Sequence, residues 1–524
     1  MRRKRFMAFL CLLLFSLSLI CCSSPKLQDS AASDIVPEAE RGGDVVLHLE
    51  SIKEFFNPYK QSTMNSFAWP CYEPLAWYKG ATQEYVPMLA ESWERDDREH
   101  SLTVHVRQGI SFSNGDPLTA QDVYFTLQSR IEFGTQSVIG NPRRIELVDD
   151  YTVKVYWQDY SMNYELWVLT QYIFSKEVYD AKGLDWMLNN MVGTGPYIMS
   201  EYTPDVVLKF VRNPDYWGEK LPQPETITFR CMTDSTAITA AFLEKEIDKL
   251  SISDEVQIRT IQEAGYQEVE LPYSQGFQFY AIPITLDPDA PLSRIEVRQA
   301  LFLYGIDWDR MAEMCGGTKA YHTSAIGLHE SPYYSAEIEQ CSYDPDKAVK
   351  MLSDAGYPDG FDVTIYGMGG YAAPLETFLQ SELKKLNINA EIRDTDFSTV
   401  QGDYLSGKEA TTGITIFAQS VVSEQQLDRF VKHFSPFNAT ASGCTNWTKD
   451  LENEWKAVLA ARSEEELEER LLAYCDDYVN GQCLFWPCYT APNAVFFQPS
   501  YTEAKEASAV NCGFDPLYIF KDTE

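Results

Sequence analysis

The pattern of apolar and polar residues predicts a first part of the chain that is rich in strands. Apolar residues alternate with polar ones at Asp44 to Leu49, at Leu102 to Val106 and at Val153 to Trp157. Thr119 and Asp122 predict the start of a helix, because a Thr side chain caps a helix and an acid is favoured in its first turn.

From about residue 270 to residue 480, predicted strands and helices alternate. The predicted strands are Gln278 to Ile284, Asp362 to Tyr366 and Asn389 to Ile392. The predicted helices are Val297 to Met314, Pro345 to Ala355, Leu375 to Leu386 and Glu464 to Tyr478. This alternation favours an α/β lobe of its own.

Composition and charge limit the classes of protein to which this chain can belong. The chain has 524 residues, of which 45% are hydrophobic and 13% aromatic. It is therefore long enough for several domains with a large apolar interior. The formal net charge of -34 excludes nucleic-acid binding, because such a surface repels phosphate backbones. The single long apolar run lies at the N-terminus, which excludes a multi-span permease.

The N-terminus has the pattern of a secretory signal. Four basic residues, Arg2 to Arg5, precede an apolar segment from Phe6 to Ile20 that is short for a membrane span. Leu19-Ile20-Cys21-Cys22 resembles a bacterial lipobox, in which a lipidated Cys becomes the first residue of the mature protein. Cys22 fits the lipidated position best, and Cys21 is the alternative residue. The alternatives to a lipoprotein signal are an ordinary cleaved signal peptide and an uncleaved anchor helix.

This pattern predicts the compartment. Residues 1–22 are interpreted as a lipoprotein signal peptide and the polar residues 23–44 as a flexible tether. The protein is expected to be exported and lipid-anchored to the cell membrane, facing the periplasm or the cell exterior.

The sequence offers no catalytic constellation. The six histidines are scattered, and no zinc-protease, nucleophile-elbow, P-loop or dinucleotide motif occurs. Nine of the twelve cysteines lie beyond residue 22, and their disulfide pairing is open. Cys475, Cys483 and Cys488 are spaced like metal ligands but have no His nearby. No enzyme activity, cofactor or metal site is predicted.

Several sequence blocks carry a resemblance to a known family. They are Tyr72–Leu75 (YEPL), Pro87–Trp93 (PMLAESW), Asn114–Val123 (NGDPLTAQDV), Gly193–Tyr197 (GTGPY), Arg212–Trp217 (RNPDYW), Val297–Ala300 (VRQA) and Tyr343–Ala348 (YDPDKA). In this order they resemble the extracytoplasmic solute-binding proteins of peptide-type ABC importers, family 5. The blocks themselves are interpreted as structural.

The resemblance implies a two-lobed α/β fold, the type II periplasmic-binding-protein fold, with an extra subdomain in lobe one. Carried over, lobe one is 45–270 plus 489–524, the extra subdomain is about 74–191, and lobe two is 271–488. The two crossing segments fall near Leu271–Tyr273 and Trp486–Cys488. The implied role is capture of a solute between the lobes by hinge closure and delivery to ABC permease subunits. The protein is expected to be a monomer.

The resemblance also implies a ligand site. The family's peptide binders carry a Trp-x-x-Asp element in lobe two, and its counterpart by position is Phe417-Ala418-Gln419-Ser420. Ser420 cannot supply the carboxylate that pairs with a peptide amine. The full set of predicted ligand-binding residues is Met64, Asn65, Phe67, Trp69, Phe417, Ala418, Gln419, Ser420 and Tyr489.

The predicted site is neutral and aromatic, which suits two kinds of solute. The first is an oligopeptide or peptide-like solute, in which a free amino terminus is disfavoured. The second is an oligosaccharide or another neutral solute, because aromatic rings give contact area and amides give hydrogen bonds. A surface adhesin is a further alternative to transport, and core packing is the alternative role of each aromatic residue.

Overall fold

The structure is a computed structural model. It describes residues 43–49, 52, 67–79, 84–133, 142–219, 224–269, 275–285, 287–325, 341–367, 372–395, 412–422 and 448–499. The predicted signal peptide with Cys21 and Cys22, and residues 23–42 of the predicted tether, lie outside these ranges. Within them, no helix combines the length and the apolar character that crossing a membrane requires.

The described ranges contain strands and helices throughout. The strands are β1 (Asp44–Leu49), β2 (Ala76–Lys79), β3 (Glu84–Pro87), β4 (Ala90–Asp96), β5 (Ser101–Val106), β6 (Arg144–Asp149), β7 (Thr152–Tyr156), β8 (Tyr197–Thr203), β9 (Val207–Arg212), β10 (Thr226–Cys231), β11 (Lys249–Ile252), β12 (Gln275–Ile284), β13 (Asp362–Gly367), β14 (Asn389–Asp394), β15 (Gly413–Val422), β16 (Trp486–Pro492) and β17 (Ala494–Phe497). The α-helices are α1 (Ala120–Phe133), α2 (Tyr164–Leu169), α3 (Lys176–Lys182), α4 (Leu184–Met187), α5 (Ser235–Leu243), α6 (Glu255–Glu263), α7 (Ile295–Gln299), α8 (Trp308–Gly316), α9 (Pro345–Asp354), α10 (Ala373–Lys385), α11 (Lys449–Leu459) and α12 (Glu464–Asp476). Short 3₁₀ or π turns cover Pro291–Ser293, Ala300–Gly305 and Asp477–Gly481.

Two large sheets organise these elements. The first body is a six-stranded sheet in the order β17-β11-β1-β10-β9-β8, with α5 packed on β11 and α6 on α5. The second body is a five-stranded sheet in the order β14-β13-β15-β12-β16. Helix α8 packs on β16, and α10 packs on β13 and β14. The chain is thus an α/β protein, as the pattern predicts.

A third sheet forms the small-sheet body, whose strand order is β4-β5-β7-β6. In β5 the alternation predicted from the sequence is confirmed, because Leu102, Val104 and Val106 are buried. Helix α1 packs on β6 and β7, and α2 packs on β5. Asp122 accepts a hydrogen bond from the Thr119 backbone N–H at 2.9 Å, which confirms the predicted helix start.

Other predicted elements are confirmed, with one difference. The strands at 44–49, 278–284, 362–366 and 389–392 are present, as are the helices at 345–355, 375–386 and 464–478 within a residue or two. The helix predicted from Val297 to Met314 is interrupted. Asp307 caps a new helix there, because its side chain accepts the Arg310 N–H, and the chain at Ile306 is extended.

The chain passes between the two large sheets at two adjacent places. Val269 donates a backbone hydrogen bond to Val495 at 2.8 Å, and β12 of the second body begins soon afterwards. On the return, β16 pairs with β12, whereas β17 pairs with β11 of the first body, so the passage lies at Asn493. The lobe and subdomain boundaries given above stay a prediction; the change of sheet comes a few residues after 488/489.

Candidate functional site

Three strands of the second body carry the lobe-two residues of the predicted site. In the central strand β12, Phe279 pairs with Ala418 of β15 on one side and with Tyr489 of β16 on the other. Tyr280 pairs with Phe417. Because directly paired residues share a face and successive residues alternate, Ala418 and Tyr489 lie on one face and Phe417 on the other.

Tyr489 is fixed by aromatic and backbone contacts. Its ring stacks on Phe279 with centroids 4.6 Å apart, and its exposed fraction is 2%. Gly316 lies against it, since a Cβ built there would come within 2.8 Å of the Tyr489 ring. The next residue, Thr490, exchanges backbone hydrogen bonds with Tyr321. Tyr489 is therefore held between the sheet and the end of α8.

Phe417 lies on the opposite face and is half-buried. Its ring stacks on Tyr280 at a centroid distance of 6.1 Å and meets the edge of Phe485. The Tyr280 hydroxyl donates to Oε1 of Gln278 at 2.5 Å. For Gln419 and Ser420 the structure describes the backbone within β15, paired with Gln278 and Phe277.

The lobe-one residues of the predicted site belong to a different apolar cluster. Phe67 and Trp69 are buried among residues of the first body, and Trp69 meets Phe229 of β10 edge-on at 6.1 Å. Met64 and Asn65 lie outside the described residues. The structure thus brings Ala418 and Tyr489 together, places Phe417 across the sheet, and packs Phe67 and Trp69 in a core. Ligand contact by any of them stays a prediction.

Sequence reasoning missed two buried polar residues beside these aromatics. Gln278 and Thr490 are fully buried and pair directly across β12 and β16. The sequence feature that could have revealed this pair is Gln278, a polar residue inside the aromatic run Phe277 to Tyr280. Both side chains are uncharged, so this pair makes the middle of the sheet neutral but polar. Among the described residues Thr490 Oγ1 has no hydrogen-bond partner.

The cysteines close to this site are neutral thiols. Cys488 precedes Tyr489, and Cys315 lies in the last turn of α8. Burial raises the pKa of both thiols, that of Cys315 to about 11. A thiol with so high a pKa is a poor nucleophile and a poor metal ligand. In the part of the chain that the structure describes, no three His, Cys, Asp or Glu side chains are grouped to hold a metal ion.

A buried carboxylate explains why three of the sequence blocks occur together. Glu73 is 2% exposed and accepts hydrogen bonds from Thr194 Oγ1 at 2.8 Å, Tyr216 OH at 2.7 Å and Trp217 Nε1 at 2.8 Å. Burial raises its pKa to about 7, and the three donors oppose that rise. The blocks at 72–75, 193–197 and 212–217 therefore meet at one carboxyl group, which confirms a structural role for them.

The arrangement defines a class of protein: a two-lobed α/β protein with the fold of periplasmic binding proteins. A family model described as bacterial extracellular solute-binding proteins, family 5 Middle, matches residues 84–432. The match spans more than half of the chain, so the chain belongs to family 5 of the bacterial extracellular solute-binding proteins.

Curated relatives have diverged widely in sequence. The dipeptide-binding protein of Escherichia coli (strain K12) is 24% identical in an alignment of 424 residues that covers 72% of this chain and 76% of that protein. Heme-binding protein A of Haemophilus influenzae is 25% identical in an alignment of 341 residues that covers 58% of this chain and 60% of that protein.

Solved structures share the fold. The oligopeptide-binding protein AppA from Bacillus subtilis, in complex with a nonapeptide, has a TM-score of 0.78 at 17% identity, covering 92% of this chain and 100% of that one. A mannohexaose-bound periplasmic oligopeptide-binding protein from Thermotoga maritima has a TM-score of 0.75 at 19% identity, covering 93% and 99%.

Proposed function

We propose that this protein captures an oligopeptide or peptide-like solute between two hinged lobes and delivers it to a membrane permease of an ABC importer. The single observation that supports this most is the double passage of the chain between the two large sheets, near Val269 and at Asn493. Two adjacent linking segments form a hinge. The protein acts without altering the solute chemically.

Closure gives such a protein its affinity. A solute favours the closed form only as far as it contacts both lobes at once. The aromatic and amide groups of β12, β15 and β16 would supply one side of the enclosure, and the segment around Phe67 and Trp69 the other. The peptide ligands named for the Escherichia coli relative and for the Bacillus subtilis structure support the peptide class.

The function is tested by ligand-dependent stability. A tri- to pentapeptide pool and an oligosaccharide pool are added separately to protein freed of solute, and the thermal midpoint is measured. A ligand at one hundred times its Kd stabilises the folded state by about 2.7 kcal/mol. A saturable shift with peptides is expected. A shift with oligosaccharides alone would favour the second solute class, which the mannohexaose-bound structure supports. No shift with either would contradict solute capture.

The absence of a carboxylate at position 420 predicts how strongly the protein distinguishes a free peptide amino terminus from a blocked one. Because Ser420 stands at the position of the family's Asp, N-acetylation of the peptide pool should change the calorimetric Kd by less than about threefold. Introducing the acid by Ser420→Asp should favour the free amine by about tenfold, the effect of one charge-assisted hydrogen bond. Ser420→Asn is the matched neutral control. Micromolar binding to the unmodified protein that acetylation abolishes would overturn this assignment.

The site of action follows from the N-terminal pattern. Cys22 is proposed as the lipidated residue, and two or more acyl chains would hold the protein at the membrane surface beside its permease. The protein is proposed to be a monomer, since capture between its own lobes needs no second copy.

A further inference from the structure

A cation–π contact joins the small-sheet body to the second body. The guanidinium carbon of Arg462 lies 3.4 Å from the centroid of the Tyr160 ring. Tyr160 follows β7 of the small-sheet body, and Arg462 lies in the turn between α11 and α12. These two parts of the chain are more than 290 residues apart, so the contact exists only because the two bodies lie against each other.

Arg462 belongs firmly to the second body. A series of aromatic contacts runs from Trp455 of α11 to Tyr474 of α12, then to Tyr478, Phe485 and finally Tyr280 of the central strand. The backbone N–H of Arg462 donates to Glu466, and Ser463 caps α12. The turn is therefore fixed, while the Arg462 side chain is exposed and reaches outward.

Tyr160 is held in place from its own side. Arg95 of β4 lies 5.0 Å from the Tyr160 ring centroid. The Arg95 guanidinium is itself anchored to Glu165 at 3.0 Å and to the carbonyl oxygens of Ser161 at 2.6 Å and Met162 at 2.9 Å. A ring held this way loses little further freedom when a second cation packs on it.

Along the chain, the small-sheet body is inserted into the first body, between β1 and β8, although its buried residues also form one apolar cluster with those of the second body. The Phe174 N–H donates to Thr126 Oγ1 at 3.0 Å and the Lys176 N–H to Asp122 Oδ1 at 2.9 Å, which tie α1 to the segment entering α3. Phe174 lies in the core of the first body. The Arg462–Tyr160 contact therefore reaches across from one lobe to the other.

A second contact between the lobes lies beside the hinge and serves as a contrast. Lys319 Nζ donates to both carboxylate oxygens of Glu268, each at 2.5 Å. The Thr318 N–H donates to Glu255 Oε2 at 3.1 Å. Glu268 is adjacent to Val269, which is bonded to Val495 at the passage between sheets. Residues next to a hinge move least when lobes rotate, so this contact would persist on opening.

We propose that Arg462 and Tyr160 form an interlobe latch, a contact that stabilises the closed form before any solute is bound and that must break when the lobes open. The latch rests on the proposed function, since it assumes opening and closing about the hinge. It raises the apparent affinity for every solute alike, because that affinity is scaled by the fraction of protein in the binding-competent form.

The test measures the unliganded protein, so it needs no knowledge of the solute. The protein is unfolded in guanidinium to release bound solute, refolded, and its closed and open fractions are obtained by small-angle scattering. Arg462→Met should lower the closed-to-open ratio by about threefold, as expected for an exposed cation–π pair. Arg462→Lys should keep most of the ratio, because it retains a cation. In a protein that already carries Tyr160→Leu, the further substitution Arg462→Met should leave the closed-to-open ratio unchanged.

The matched control is Arg310→Met, which removes an exposed arginine from α8 of the same body. It should leave the ratio unchanged, and circular dichroism should show every variant folded. A ratio in Arg462→Met equal to that of the unmodified protein, or an equal change in Arg310→Met, would overturn the latch. Either result leaves solute-dependent stabilisation intact; loss of the proposed function would appear instead as the absence of any ligand shift.

Discussion

Glu73→Ala is expected to lower the free energy of unfolding by about 4 kcal/mol. The substitution removes the acceptor of two buried donors, on Thr194 and Tyr216, and of a half-buried one on Trp217, and each unsatisfied buried donor costs about 1–3 kcal/mol. Urea unfolding followed by tryptophan fluorescence measures the change. The control is Glu91→Ala, an exposed position in β4, which should alter stability by less than about 0.5 kcal/mol. A loss below about 1 kcal/mol in Glu73→Ala would contradict this role.

The same carboxyl group predicts a pH dependence with a definite sign. Its pKa is about 7 in the folded protein against an ordinary value of 4.5, so the folded state holds the proton more tightly. The resulting stability is complete below pH 4.5 and is lost as the pH rises through 7, by about 3 kcal/mol in all. Glu73→Gln cannot titrate there. The difference in stability between the unmodified protein and Glu73→Gln should therefore fall as the pH rises, and a constant difference would be the contrary result.

Arg298→Met is expected to cost about 3 kcal/mol of stability. The Arg298 side chain is 2% exposed, and its guanidinium donates to the carbonyl oxygens of Gln482 at 2.8 Å, Leu292 at 3.0 Å and Ser293 at 2.8 Å. Met keeps much of the volume but leaves these three carbonyl oxygens, one buried and two partly buried, without their donor, so the turn before β16 loses its anchor.

The measurement for Arg298→Met is the urea midpoint of unfolding, compared with that of Arg259→Met. Arg259 makes an exposed pair with Glu255 one helical turn away, and such pairs contribute about 0.3–0.5 kcal/mol. Equal midpoints for the two variants would show that the Arg298 hydrogen bonds do not hold the turn.

Local patterns predicted the elements well because each depends on neighbours in sequence. The alternation in β5 and the Thr119–Asp122 start of α1 are confirmed. The interruption at Asp307 was missed, since the apolar pattern continues through it and only the cap geometry reveals the break. The structural role predicted for the blocks is confirmed for the three at 72–75, 193–197 and 212–217, but their meeting point at Glu73 depends on contacts between segments more than 100 residues apart.

The relative positions of the candidate site residues could not be predicted from the sequence, because they depend on strand pairing and packing. Tyr489 and Phe417 lie on opposite faces because they pair with successive residues of β12, Phe279 and Tyr280. The pairing of β12 with β16 is also irregular between these two residues. The burial of Trp69 beside Phe229 likewise follows from the packing of the first body. An aromatic residue in a predicted strand serves a core or a ligand equally well, and only the fold distinguishes the two.

The proposed function requires that the protein encloses a solute and releases it unchanged. The most direct measurement is mass spectrometry of the material released when the protein, purified without added ligand, is denatured. A small solute is expected at up to one per chain, and its mass and fragmentation should stay the same after prolonged incubation with fresh protein. Recovery of a solute that the protein cleaves or modifies, or of no solute from a protein that also fails to bind both pools, would contradict it.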